Sequence, residues 1–326
     1  MTEVQQKGGV SPSGRPILFG EVLFDQFEDG IEVLGGAPFN VAWHLAGFGL
    51  DPLFISRVGQ DSLGDRVLEQ MARQGMTTVG MQQDGAHPTG RVEVALAEAQ
   101  PCFSILPEQA YDFIDWSPLE SLLKEEGAGG GSGLFYHGSL IARSPLSRET
   151  LIKARGAVAG PVMMDLNLRP PWWDEQQLLG LLRGVDVVKM NAGELDTLTG
   201  QMGKSQGERV SRDRLEALTG RLSVDFGAQM ITVTMGEHGA FLAQGDVVLQ
   251  SDENGGGKGA DETPLIDTVG AGDAFSAVLI LGLYRGWPLP QLLERANGFA
   301  RAICSVRGAT PADPTLYEGF MAQWQT

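Results

Sequence analysis

The run Asp267-Thr268-Val269-Gly270-Ala271-Gly272-Asp273-Ala274-Phe275 places two glycines ahead of an aspartate and opens into an apolar segment, residues 274–284. This is the layout of a helix whose first turn holds an anion. Gly270 and Gly272 let the backbone approach a ligand with no side chain in the way. The unpaired N–H groups at the helix start can then donate to a phosphate. Asp273 would repel that phosphate, but it makes chemical sense as the base that takes a proton from an attacking hydroxyl. The loop therefore predicts phosphoryl transfer to an alcohol. A glycine-rich strand-to-helix turn with an aspartate cap is the plain alternative.

Three further clusters carry chemistry. In Gly35-Gly36-Ala37-Pro38-Phe39-Asn40 the glycines expose backbone N–H groups and Asn40 offers both a donor and an acceptor, a set suited to neutral hydroxyls. Asp25, after the first strand, can accept two hydroxyl hydrogen bonds. In Asp165-Leu166-Asn167-Leu168-Arg169 the alternate residues of a strand end share one side, facing the crevice where α/β proteins bind ligands. An Arg–Asp pair that merely holds a loop is the alternative. Asn191 and Glu194, three apart at a helix start, suit either a hydrated Mg²⁺ beside phosphates or a capping box. The histidines His44, His87, His137 and His238 form no metal spacing, and Ser139 and Ser276 lack a hydrolase nucleophile elbow. A Rossmann dehydrogenase would need a G-x-G-x-x-G turn after the first strand, and ILFGEVLFDQF has one glycine.

These residues need a scaffold. ILFGEVLF, PLFISRVG, LFYHGSL, PVMMDLN, VDVVKMN and MITVTMG are strand candidates. They alternate with helical patterns near 39–49, 62–75, 147–159, 175–183, 191–199, 211–227, 274–286 and 288–306, which predicts a mainly parallel sheet with helices on both faces. Residues 20–27 and 31–34 flank Glu28-Asp29-Gly30 as a hairpin, and 90–106 alternate like strands. Both are expected to form a small β-sheet lid. The glycine-rich stretches 127–133 and 255–259 read as surface loops, and residues 1–14 as a flexible tail before a single domain at 15–326.

Composition narrows the function further. A net charge of −17 argues against nucleic acid, which needs a basic face. A nucleotide must then be held by local N–H groups, a few cationic side chains and a divalent ion. No apolar run approaches a membrane span, and Met1 to Pro16 lacks the apolar core of a secretory signal. Cys102 and Cys304 give no disulfide framework. A cytoplasmic protein is the expectation.

The motifs also carry a resemblance. DTVGAGDAF resembles the C-terminal signature of the ribokinase (PfkB) family of carbohydrate kinases, and GGAPFNVA its N-terminal motif. Between them, DLNLRPPWW resembles the D-x-N-x-R segment of fructokinase-like and ketodeoxygluconate-kinase-like members. NAGE matches the family's N-x-x-E motif, and TMGEHG its T-x-G-x-x-G nucleotide turn. The resemblance implies a three-layer α/β/α fold with a lid from about 21–34 and 90–106, which in the family covers the sugar and often dimerises. It implies ATP, Mg²⁺ and a monosaccharide, most like fructose, with Asp273 as base beside Gly270, Ala271 and Gly272. Asp25, Gly35, Gly36 and Asn40 would bind the sugar, with Asn167, Arg169 and, for a sugar acid, Arg91 as further contacts. Asn191, Thr234, Gly236, Gly239, Asn297 and Gly308 would line the nucleotide, Glu194 would hold Mg²⁺ through water, and Asp267 matches a K⁺ position. Ketodeoxygluconate and ribose kinases share much of the pattern, and a nucleoside kinase less of it. A non-catalytic sugar or nucleotide sensor would not need Asp273.

Overall fold

Apolar strands of four or five residues, such as Val162–Asp165 with every side chain buried, form only where a sheet is covered on both faces. A computed structural model describes residues 10–97, 100–128, 133–200, 211–251 and 267–325. The glycine-rich stretch 255–259, most of 127–133 and most of the 1–14 tail lie outside the described residues.

In chain order the elements are β1 (Ile17–Phe19), β2 (Leu23–Phe27), β3 (Glu32–Gly35), α1 (Ala37–Gly47), β4 (Leu53–Gly59), α2 (Ser62–Arg73) and β5 (Met81–Asp84). Then come β6 (Gly90–Ala97), β7 (Gln100–Ile105), α3 (Ser117–Ala128), β8 (Phe135–His137), α4 (Pro145–Ala157), β9 (Val162–Asp165), α5 (Glu175–Leu182) and β10 (Val187–Asn191). The chain closes with α6 (Ala192–Leu198), α7 (Arg212–Phe226), β11 (Met230–Thr234), β12 (Ala240–Gln244), β13 (Val247–Gln250), α8 (Ala271–Arg285), α9 (Leu289–Ile303) and α10 (Pro314–Trp324).

A nine-stranded sheet runs β13-β12-β11-β10-β9-β8-β1-β4-β5, parallel except at β12 and β13. Chain order reverses at β1, the topological switch point where open α/β sheets bind ligands at their carboxyl ends. Side-chain alternation along β1 divides the core. Leu18 packs with Phe39, Phe54 and Phe275 on one face, and Ile17 and Phe19 with Leu53, Ile55 and Phe135 on the other. A separate four-stranded sheet, β3-β2-β6-β7, is built from the segments 21–34 and 90–106, which are expected to form a small β-sheet; it is the lid sheet.

ILFGEVLF is not one strand. Its first three residues belong to the main sheet and its last two to the lid, and the chain changes sheet through Gly20-Glu21-Val22. A Cβ on Gly20 would stand 2.2 Å from Pro38 Cγ, so only glycine lets α1 press against this crossing. Helix boundaries follow their local signals. Asp61 Oδ1 caps α2 by accepting from Gly64 N–H at 2.8 Å, and Gly227 ends α7 in the left-handed conformation. Among the described residues no helix is long and apolar enough to cross a membrane.

Candidate active site

Asn167, Asn191 and Thr234 sit at or just past the carboxyl ends of β9, β10 and β11, and Asn40 on α1 meets Asp273 on α8. Gly270, at φ +81, caps α8, and the first internal bond of that helix runs from Ala274 N–H to Gly270 C=O at 2.8 Å. The N–H groups of Gly272 and Asp273 precede that bond and belong to the helix's donor-rich start. A Cβ on Gly270 would lie 2.4 Å from Ala309 Cβ, so the turn is pressed against the loop that carries Gly308.

Asp273 is tied to the other end of the chain. Asn40 Nδ2 donates to Asp273 Oδ2 at 2.8 Å, while Asn40 Oδ1 is buried without a protein partner. That spare acceptor suits a hydroxyl. Gly35 stands beside both Asn40 and Asp25: its Cβ would lie 3.8 Å from Asn40 Oδ1 and 3.9 Å from Asp25 Oδ2. Gly36, at φ +111, lets the turn pack on the crossing strand, because a Cβ there would stand 2.6 Å from the Glu21 carbonyl oxygen. Replacing Gly36 with alanine is expected to raise the sugar KM at least about tenfold, since left-handed strain of about 1–3 kcal/mol displaces the turn that carries Gly35. Steady-state kinetics beside a melting curve checks this, and an unchanged KM would refute it.

The carboxyls here are short of compensating charge. Burial pushes Asp273 up to about 6, against the Asn40 hydrogen bond. It pushes Asp25 up to about 6, against Arg169 and helped by the Asp267 charge. Glu21, 3% exposed, is pushed up to about 7 by burial, and its Oε2 has no protein partner. The sequence reading did not single out Glu21. A carboxylate two residues past a strand that ends at the switch point was its signal. Arg169 is exposed and its charge acts on all three groups. Asn167 adopts φ +38, a conformation asparagine tolerates, and its carbonyl lies 3.5 Å from Ser139 Oγ.

Asp165 does not line the crevice with Asn167 and Arg169. It lies beneath, 1% exposed, bonded to Lys189 Nζ at 2.9 and 3.1 Å, because β9 is still inside the sheet at that position. Arg91 is not brought to the group either. It sits in register with Phe24, whereas Asp25 pairs with Val92, so Arg91 lies on the lid face opposite Asp25, within the electrostatic reach of Glu32. The cationic neighbour on the crevice side is instead Arg143, held by Asp112 at 2.7 and 2.8 Å and stacked 4.5 Å from the Trp172 ring.

The nucleotide candidates line the next strand ends. Asn191 and Thr234 are register partners at the ends of β10 and β11, and Gly236 and Gly239 make the positive-φ turn that follows. Asn297 lies on α9, and Gly308 comes within 3.8 Å, by its absent Cβ, of Val33 on the lid. Glu194 closes the capping box with Asn191, and its other oxygen accepts Leu168 N–H at 2.7 Å. Asp267 Oδ1 accepts Val269 N–H at 3.0 Å. Among the described residues, no three His, Cys, Asp or Glu side chains form a metal cluster.

A donor-rich helix start with a buried, raised-pKa carboxyl on its first turn could serve phosphoryl transfer to a hydroxyl. The comparisons agree. The pattern of the pfkB family of carbohydrate kinases matches residues 25–316. The sugar kinase PH1459 of Pyrococcus horikoshii is 30% identical over 286 residues, 84% of this chain and 82% of that protein. The 5-dehydro-2-deoxygluconokinase of Geobacillus kaustophilus is 25% identical over 87% of this chain and 82% of its own. The fructokinase of Klebsiella pneumoniae is 28% identical over 83% and 85%. Among solved structures, the ATP-bound fructokinase of Xylella fastidiosa superposes with a TM-score of 0.77 at 21% identity, covering 96% of this chain and 99% of that one. The Vibrio cholerae fructokinase with fructose, ADP and calcium gives 0.73 at 25% identity over 94% and 98%. With the family's pattern running from the lid to α10, this chain belongs to the pfkB family of carbohydrate kinases.

Proposed function

We propose that this enzyme transfers the γ-phosphate of ATP to a primary hydroxyl of a neutral monosaccharide, fructose first among them. The observation that carries the neutral-sugar reading is the charge of the pocket. Glu21, Asp25 and Asp273 all sit above their ordinary pKa range. Arg143 is ion-paired with Asp112 through Nε and Nη2, its Nη1 being buried without a protein partner, and Arg91 is on the far lid face, so Arg169 is the exposed cation whose charge acts on all three carboxyls. A sugar carboxylate would meet net repulsion there, whereas hydroxyls can donate to Asp25, Glu21 and Asn40 Oδ1.

In this mechanism the γ-phosphate rests on the Gly270–Gly272 turn and the sugar on Asp25, Gly35, Gly36, Asn40 and Asn167, with Arg169 balancing charge between them. Asp273 accepts the proton of the attacking CH₂OH group, and Asn40 orients its carboxylate. Glu194 would hold Mg²⁺ through water beside the phosphates, where the ion would supply further charge neutralisation. Asp267 would hold a K⁺ ion that stiffens the turn. The exposed apolar side chains Phe27, Ile31 and Phe103 on the lid support a homodimer through that sheet.

The second reading, a sugar-acid kinase, is favoured by the gluconokinase-named relatives and by Arg169. A side-by-side assay of fructose, 2-keto-3-deoxygluconate, 5-dehydro-2-deoxygluconate, ribose and adenosine decides between them. The expected result is a kcat/KM for fructose at least about tenfold above either acid. Preference for an acid would overturn the neutral-sugar reading, and ATP binding without turnover of any substrate would favour the sensor.

A further inference from the structure

Lys189 stands out because nothing in the reaction so far uses it. It is 6% exposed, on β10, in a chain of net charge −17. Its ammonium lies under the start of α8: a Cβ on Gly272 would stand 3.0 Å from Lys189 Nζ. A Cβ at position 272 would crowd the ammonium and require it to shift by a few tenths of an ångström, so the glycine leaves room on the interior as well as on the ligand side. Asp165 receives the ammonium on both oxygens, at 2.9 and 3.1 Å. The same carboxylate accepts Ser276 Oγ at 3.0 Å and stands 3.5 Å from Tyr136 OH. Gly272 and Ser276 are four apart on α8, so one face of that helix rests on the pair.

The network therefore joins β8, β9, β10 and α8 directly beneath the phosphate-binding turn. Its polarity is ordered, with the carboxylate drawn toward Ser276 and Tyr136 and the ammonium toward Gly272. A buried ion pair is a weak source of stability, because desolvating both charges offsets their attraction. A fixed cation beneath a helix start is, by contrast, a strong source of stabilisation for charge that develops there.

We propose that Lys189, anchored by Asp165, is a positioning residue for phosphoryl transfer: it holds the first turn of α8 in place and supplies the fixed positive charge beneath its anion hole. The proposal rests on reading Gly270–Asp273 as that hole. Its charge also bears on Asp273, which is faced by Asn40 from α1, Asp165 from β9, Lys189 from β10, Arg169 from the following loop, Glu21 from the crossing strand and Tyr136 from β8.

The test is a comparison of Lys189→Met with the double variant Lys189→Met/Asp165→Asn, using ATP, Mg²⁺ and the best substrate of the panel. The single variant leaves a buried carboxylate uncompensated, and it is expected to lose both Tm and kcat. The double variant leaves no unpaired charge. Its Tm is expected to return to near wild type, while its kcat stays about 100-fold low with the sugar KM within about threefold. Recovery of kcat together with Tm would make the pair a simple structural strut and overturn the proposal, as would a double variant that fails to fold. Absence of sugar-dependent turnover in the wild-type chain would instead fault the kinase reading, before Lys189 is tested at all.

Discussion

Replacing Asp273 with asparagine is expected to lower kcat by about 10³-fold while leaving the ATP Kd within about threefold. The amide keeps the shape of the carboxylate and can still contact Asn40, with one amide turned to suit the other. It cannot accept a proton. The phosphate-holding N–H groups belong to the backbone of the same turn and are untouched by the change. Calorimetric titration of ATP beside steady-state kinetics separates binding from chemistry, and a variant retaining more than about a tenth of wild-type kcat would remove Asp273 from the role of base.

The pH dependence follows from the same environment. Burial raises Asp273 and Asp25 to about 6, so both lose their charge as pH falls through that value. The base must be ionised to take a proton, and Asp25 must be ionised to accept two hydroxyls. Activity is therefore present above about pH 7 and lost as pH falls. In the free enzyme Glu21, at about 7, titrates as well as Asp25 and Asp273, so kcat/KM is expected to fall more steeply than kcat, with a slope of two or more below pH 6. Once bound sugar hydroxyls hold Asp25 ionised, kcat should fall with a slope of one. Equal slopes in the two profiles would mean that Asp25 does not bind the sugar as an ionised group.

Chemistry carried by neighbouring residues was legible in the sequence. The 267–275 turn, the 35–40 turn and the Asn191–Glu194 box each need only one stretch of chain, and each lies at the helix start expected for it. Chemistry assembled across strands was not legible. Lys189 and Asp165 meet because β9 and β10 are neighbours in parallel register, and no spacing along the chain encodes that pairing. Glu21 escaped for a related reason. ILFGEVLF reads as one apolar run, and hydrophobicity does not say at which residue a chain changes sheet. The Arg91 expectation turned on a register of one residue, which decides the face a strand side chain occupies. The antiparallel pair β12–β13 and the terminal helix α10 were not singled out either, although Asp313 followed by Pro314 is a helix-start signal.

Replacing Glu21 with glutamine is expected to make the unliganded protein more stable and the enzyme worse. Glu21 is 3% exposed and its carboxyl is raised from 4.5 to about 7, so above pH 7 the folded chain carries a buried charge that the unfolded chain solvates freely. A group raised in the folded state contributes stability at low pH and loses it as pH rises through the folded value. At pH 8 the ionised Glu21 is therefore a liability, and the neutral amide should add about 2 kcal/mol, several degrees in Tm. By pH 4, below the ordinary range of a glutamate, the carboxyl is neutral in both states and the gain should vanish. The activity should move the other way. Glu21 Oε2 is a buried acceptor without a protein partner, at the switch point and within the field of Asp273 and Arg169. If it receives a sugar hydroxyl, the amide presents either a weaker acceptor or a competing donor, at a loss of about tenfold or more in kcat/KM. Melting curves at pH 8 and pH 4 with parallel kinetics test both halves. A Tm gain with unchanged kinetics would make Glu21 a buried defect, whereas a Tm gain with lost activity would show that the protein holds a strained carboxyl for its substrate.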